Sequence, residues 1–476
     1  MFSWQVATFD LFAPREPVEL WDLEILQKWE RLISYGRPGW ASLFRAGSTK
    51  TPNAYNSEQL IMLAKEKLLG GLQVMQWPPD KPDMLKTFRI ALLSRRALVR
   101  IGMRSEIARN MVASCMGMCM RVSEDIDSMM VDSLSEPILS EAAARIINEF
   151  DLWPELLETL IDAMSYGAVE TGRVGELASW ILLAIGWDAA CKAKEPVLCD
   201  TYTRSDISLG DLLKALLGKV PELDPARPKK KMRTRQDTST EQEDNSKAVL
   251  QEVLEMMLCI THATQLHTSG LSFENLKMAA CRMLLAVCAP GTDAIDAFLA
   301  LLPPKGKRMM LGVLQLQIKN KKVLRPAEVK RCLKNMGEVS RVKISPTDQE
   351  CTQLQGVDAL IHIGDQSGKE SKCEIFLDEH TQRVCLLLST DSKLSLFQSA
   401  FAAVTKTADG AQRLASAFEK LVDAERLASF KQKTWSVGNA QPCSPDLVSP
   451  PGEPTVEAQM DSLTDVFFVE DRADNQ

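Results

Sequence analysis

The sequence contains no glycine-rich GxxxxGK[ST] cradle for a triphosphate, so ATP hydrolysis on a P-loop is excluded. Its 12 cysteines include no paired CxxC and no Cys/His array. Cys115 and Cys119 are one helical turn apart, and Cys373, His380 and Cys385 are too loosely spaced for a zinc site, so a reducing compartment is expected. No apolar run reaches the roughly 18 residues that a membrane helix needs. Met1 to Pro14 lacks the basic flank and small-residue cleavage site of a secretory leader. These absences lead to the expectation of a soluble intracellular protein, nuclear or cytoplasmic, without a membrane partner.

What is present is an ordinary globular composition, 45% hydrophobic and 25% charged over 476 residues, enough for two or three domains with buried cores. The net charge of −7 is unevenly placed. Ser444 to Gln476 carries eight acids and the one base Arg472, so the residues before it balance to zero. Conversely, Lys305 to Lys334 holds ten basic residues against the single acid Glu328. A local field of that sign suits a polyanion, or is a solvated surface with no ligand.

Residues 1–135 read as a helical region. Its helices are expected at Trp21 to Ile33, from Ser57 with Ile61, Leu63 and Leu68, and along the Met- and Leu-rich Asp83 to Val122. Gly36, Pro38 and Gly39 make a turn of 34–44, with Trp40 and Phe44 folding back, and the Met cluster at 111–120 reads as adaptable core packing. Residues 136–223 form a second helical group, in which Glu176 opens a helix bearing Trp180, Leu183 and Trp187; a carboxylate there also suits the helix dipole. Residues 224–248 are a polar low-complexity linker, and its run Pro228 to Arg235 fits a nuclear import signal or a solvated basic linker. In 249–432, helices are expected at about 246–267 and 272–287, from Pro326, and at about 395–404 and 408–431, with strands at 357–363 and 383–389. Residues 433–476 read as an acidic disordered tail. The fold class is therefore α+β or α/β, a helical N-terminal half leading into a small mixed sheet flanked by helices.

The chemistry concentrates in Gly291 to Lys322. Strict alternation in Val313 to Lys319 puts Val313, Gln315, Gln317 and Lys319 on one face of a strand. Upstream, Ile295, Phe298, Leu299 and Leu302 recur at helical spacing, yet the continuous apolar run before Pro303 also fits a buried strand. On a strand, Asp296 and the pair Gln317 and Lys319 give the layout of a metal-dependent phosphodiesterase. Carboxylate and carbonyl oxygens hold Mg²⁺, and the ammonium orients the attacking water against the phosphate. Asp293 is the reserve carboxylate. The bland alternative is a solvated Gln317 and a Lys319 that merely ends a strand.

Six segments in order, SYGRPGWASL (34–43), SEPILSEAAA (135–144), GRVGELASWILL (172–183), SGLSFENL (269–276), TDAIDAFLALLP (292–303) and LQLQIKNKK (314–322), together resemble crinkler-type proteins. That family joins a P-loop NTPase module to a restriction-endonuclease-like domain of the PD-(D/E)XK superfamily, and the resemblance covers roughly Trp21 to Phe430. Without a P-loop, the chain matches only the part of the family layout that comes after the NTPase module. The resemblance implies Mg²⁺-dependent cleavage of DNA phosphodiesters with little sequence preference, in an effector or toxin-like setting. Glu176 and Asp296 would bind the metal, Gln317 would give an amide oxygen or hold water, and Lys319 would face the scissile phosphate. The alternative is a degenerate relative that keeps the fold as a nucleic-acid-binding or protein-interaction module.

Overall fold

A computed structural model describes residues 28–35, 37–48, 56–72, 82–102, 106–122, 129–133, 135–165, 168–169, 176–194, 206–221, 239–266, 271–288, 295–304, 312–319, 325–344, 356–363, 371–378, 383–390 and 394–438. The basic run 228–235, Asp293 and the acidic tail from 444 lie outside them. The chain divides into two compact units, Met1–Lys431 and Gln432–Gln476, and the first carries the sheet and all the helices described except the end of the last, which runs to Gly438.

The N-terminal half of this first unit is mostly helical: α1 (Trp29–Ser34), α2 (Pro38–Ser48), α3 (Ser57–Leu68), α4 (Pro82–Ala97), α5 (Glu106–Ser114), α6 (Pro137–Glu149), α7 (Trp153–Ser165) and α8 (Leu177–Lys194). Local chemistry sets several starts. Asn56 accepts from the Gln59 amide while the Gln59 side chain accepts from the Asn56 amide, a reciprocal cap that satisfies two otherwise orphaned donors of α3. Pro137 opens α6, where its missing N–H costs nothing. Helix α8 is apolar around its circumference and buried from Ala178 to Cys191, a helix with no solvent face over that stretch, and α4 is among the elements packed against it.

The expected helix from Asp83 to Val122 is broken. A hairpin of β1 (Met118–Val122) and β2 (Met129–Asp132) comes after α5. The first break comes after Ala97, where Leu98 takes a positive φ of 46°; the second comes after Ser114, where Met116 takes a positive φ of 60° and a Cβ on Gly117 would lie 2.9 Å from the Met111 carbonyl oxygen and 2.9 Å from Val131 Cγ1. Only glycine passes there.

The second half holds β3 (Ile207–Ser208), α9 (Leu209–Leu217), α10 (Ser239–Glu255), β4 (Met257–Leu258), β5 (His262–Gln265), α11 (Phe273–Arg282), β6 (Leu284–Val287), β7 (Ala297–Leu301), β8 (Gly312–Lys319), α12 (Pro326–Ile344), β9 (Gly356–Ile363), β10 (Lys372–Asp378), β11 (Arg383–Thr390), α13 (Gln398–Val404) and α14 (Ala408–Gly438). Seven strands form one mixed sheet in the order β10-β11-β9-β8-β7-β6-β5. Strands β8, β9 and β11 are mutually parallel, β7 runs against β8, and β5 pairs parallel with β6. Strands β5, β6, β7 and β11 are buried on both faces, which explains the continuous apolar runs of β6, β7 and the middle of β11, whereas β5 is buried although three of its four residues, His262, Thr264 and Gln265, are polar. The mixed helix-and-sheet class expected from the sequence is what the structure shows.

Both helices expected near 246–287 end earlier than periodicity suggests. α10 stops at Glu255 and α11 at Arg282, where Met283 takes a left-handed φ of 53°. Each is succeeded by a strand, because Thr261 and Met283 are tied together: the Thr261 amide and hydroxyl donate to the Met283 carbonyl at 2.7 and 2.8 Å. The apolar run after Asp296 resolves as strand β7, all of it buried, with Asp296 itself in the bend just before the strand.

A buried polar network joins the two halves. Arg96 donates to Asp188 at 2.6 Å and to the Thr261 carbonyl at 2.9 Å, and Asp188 also accepts from Asn148 and the Trp153 indole. Arg95 and Arg37 share Glu136 at 3.3 and 3.4 Å. Buried charges persist only when paired in this way.

Candidate functional site at one edge of the sheet

Strand pairing decides what meets at the sheet edge. In the β7/β8 ladder Ala297 faces Leu316, so Asp296, one residue earlier, comes beside Gln317. The Asp296 amide donates to the Leu316 carbonyl at 2.9 Å, and the Asp296 carboxylate Oδ2 accepts the Ile318 amide at 2.6 Å. On the other side, β8 and β9 set Lys319 level with His362, and β9 and β11 set His362 level with Ser389. His362 Nδ1 and Ser389 Oγ are 2.9 Å apart. Asp296, Gln317, Lys319, His362 and Ser389 thus line one face where the parallel strands β8, β9 and β11 end and the antiparallel β7 begins. The carboxyl ends of parallel strands are where open α/β sheets place ligands.

The electrostatics of this edge are uneven. Burial pushes the Asp296 carboxyl above the usual carboxylate range, and the Ile318 amide and the nearby Lys319 charge pull it back. Gln317 is 7% exposed, and its Oε1 is buried with no hydrogen-bond partner among the described residues. A buried amide oxygen left unsatisfied costs about 1–3 kcal/mol, which is tolerated where a ligand or ion completes it. Lower on the same face, Arg383 grips Asp358 through three hydrogen bonds of 2.8, 3.0 and 3.1 Å, a bidentate pair that is almost wholly buried and closes the face from below.

Of the residues singled out in the sequence, Asp296, Gln317 and Lys319 are brought together. Glu176 lies at the head of α8, where its carbonyl accepts the Trp180 amide at 3.0 Å. The principal neighbours of α8 are α4, α9, α13 and β3, not the strands that carry Asp296 and Lys319. Among the described residues no group of three or more His, Cys, Asp or Glu side chains is placed to share a metal. His362 and Ser389 join the edge without having been expected. The alternation of VDALIHI puts Asp358, Leu360 and His362 on one face, but only the pairing of β9 with β8 and β11 says which face that is.

No helix among the described residues is long and apolar enough to cross a membrane. No curated protein and no solved structure matches the chain. Residues 86–197, from α4 through α8, match a family model described as a domain of unknown function (DUF8736); the stretch includes Glu176 and stops short of Asp296, Gln317 and Lys319.

Proposed function

We propose that the sheet edge is a phosphodiester-cleaving site of the nuclease type, acting on DNA with Mg²⁺. The observation that carries the reading is the β7/β8 register, which sets Asp296 beside Gln317 with Lys319 next on the same face. The donor set fits a hard cation: Mg²⁺ prefers oxygen, binds through one or two carboxylates and keeps several waters. Asp296 supplies a carboxylate, and the unsatisfied Oε1 of Gln317 supplies a neutral oxygen. A magnesium ion held there supplies charge neutralisation and an acidified water. Lys319 stabilises negative charge developing on the phosphate, and the buried β-sheet behind it lowers the local dielectric so that this charge counts for more. Glu176, which the crinkler resemblance would make a metal ligand, heads α8, which packs away from these strands, so the proposal does not rest on it.

The second reading, a binding module that has lost catalysis, draws on one observation: a carboxylate pushed toward its neutral form and already holding the Ile318 amide is a reluctant metal ligand. One experiment separates the two. Plasmid cleavage and DNA binding are measured with the full chain in Mg²⁺ or Mn²⁺, beside Lys319→Met, which keeps most of the aliphatic stem. Cleavage by the parent with a loss of roughly 10² or more in Lys319→Met supports the nuclease. Binding without cleavage supports the module, and neither binding nor cleavage overturns both.

A further inference from the structure

Helix α12 is the crossover between the parallel strands β8 and β9, and it packs against β9. Its two sides differ in chemistry. Val329, Cys332, Leu333 and Met336 recur at i, i+3, i+4 and i+7 and are all buried, the stripe that seats the helix on the sheet. Two positions earlier, about 200° around a helix, a second stripe of the same spacing, Ala327, Lys330, Arg331 and Lys334, is exposed throughout. Arg325, just ahead of the first turn, is exposed as well. The single acid among residues 325–336 is Glu328, half-buried, whose Oε2 accepts the Arg325 amide at 3.2 Å and so serves the start of the helix. No acid is exposed along this stretch.

The placing of these charges works against the helix. Three and four positions from Lys330 stand Pro326, Ala327, Leu333 and Lys334, so no acid offsets it along the helix, and Lys330 and Lys334 are like charges one turn apart. Such a pair weakens a helix, whereas a solvated helix surface commonly sets acids and bases one turn apart. A polyanion laid along the stripe meets several bases at once and relieves the repulsion. Topology fixes where the stripe starts. A chain that leaves β8 at Lys319 and returns in the parallel β9 enters its crossover helix on the side of the strands' carboxyl ends, where Lys319 and His362 are level. Six positions separate Lys319 from Arg325, a reach of at most about 22 Å. The exposed bases therefore lead away from the sheet edge over the outer surface of α12.

We propose that the outer stripe of α12 is a docking surface for the sugar-phosphate backbone of double-stranded DNA, with Lys330 and Arg331 at its centre and Arg325 and Lys334 at its ends. The proposal rests on the reading of the sheet edge as a site for DNA, and names the surface that holds the duplex whether or not it is cut. Charge complementarity and continuity with that edge select this partner. Bases on an exposed helix side contact phosphate oxygens without reading base edges, so the surface holds DNA of any sequence.

The test uses the full chain and fluorescence anisotropy with two labelled duplexes of unrelated sequence, from about 50 to 200 mM KCl. Lys330→Gln/Arg331→Gln is compared with Lys67→Gln/Lys214→Gln, which removes the same charge from exposed positions on α3 and α9. Loss of two phosphate contacts should weaken both duplexes about tenfold or more at the lowest salt and make the slope of log K against log [KCl] shallower by about 2. The control should keep the parent's slope, and Lys330→Arg/Arg331→Lys, which keeps the charge, should bind as the parent does. A parent that binds neither duplex, a double variant with the parent's affinity and slope, or a control that loses as much overturns the proposal. The same series is run with vesicles of phosphatidylcholine and phosphatidylserine, and vesicle binding through Lys330 and Arg331 without DNA binding overturns it in favour of a lipid surface. Plasmid cleavage in Mg²⁺, recorded beside binding, keeps the two readings apart. A parent that binds through α12 without cutting sinks the phosphodiesterase and supports this surface, whereas Lys319-dependent cleavage with unchanged binding in the double variant does the reverse.

Discussion

Asp296 stands between the demand of the fold and that of the metal site proposed for it. Its carboxylate caps the Ile318 amide, yet burial makes ionisation costly and lifts its pKa, an effect the Lys319 charge only partly offsets. The native state therefore holds this proton more tightly than the unfolded chain does. Its contribution to stability is fully present below the ordinary carboxylate pKa and is lost as pH rises through the folded value. Asp296→Asn keeps an oxygen for the Ile318 amide and carries no charge at any pH. Urea unfolding between about pH 4 and pH 7 should show the variant gaining on the parent as pH rises, with the difference levelling off once the parent carboxyl is ionised. A difference that stays flat across that range would mean that the carboxylate sits comfortably where it is. A net gain in stability for Asp296→Asn at neutral pH would support the proposed metal-site role over a purely structural one.

At the scale of elements, legibility followed how local the determinant is. The strands at 356–363 and 383–390 and the helix from Pro326 could be read because their signals, short apolar runs and a proline at a helix start, lie inside the element itself. The alternation of β8 gave Gln317 and Lys319 one face for the same reason. The hairpin after α5 could not be read this way, since a Met-rich run has no clear period and the turn into it is set by contact with Val131. Gly117 tests that account. A Cβ there meets the Met111 carbonyl, a backbone atom that cannot rotate away, and so Gly117→Ala should destabilise the chain by about 1–3 kcal/mol in urea unfolding. Wild-type stability in Gly117→Ala would show that α5 and the hairpin shift freely, and that glycine is not what breaks the helix.

Over the whole molecule, the clusters that matter most join residues far apart in sequence. Arg96 and Asp188 are separated by 92 positions, Arg282 and Ser135 by 147, Arg96 and Thr261 by 165, and Arg31 and Cys281 by 250. No periodicity within a window reveals such pairs, so they were invisible until the fold placed them. Charge is the whole-molecule property that the sequence does disclose. The chain carries −7, and Ser444 to Gln476 accounts for all of it, while Lys305 to Lys334 is strongly basic around Lys319. For a polyanionic ligand, each added negative charge on the protein lowers the association constant, and salt screens that penalty over a Debye length of about 10 Å at 0.1 M. Removing residues 444–476 should therefore tighten DNA binding at low salt and bring the two forms together as salt rises. The salt dependence itself should steepen, because basic residues freed from the tail's field displace more counterions from DNA. Fluorescence anisotropy with a labelled duplex across 20 to 300 mM KCl, roughly the range in which counterion release is read, measures both quantities. Equal affinities at the lowest salt would show that the acidic segment has no effect on DNA binding, and the basic stretch around Lys319 would then have to be judged on its own.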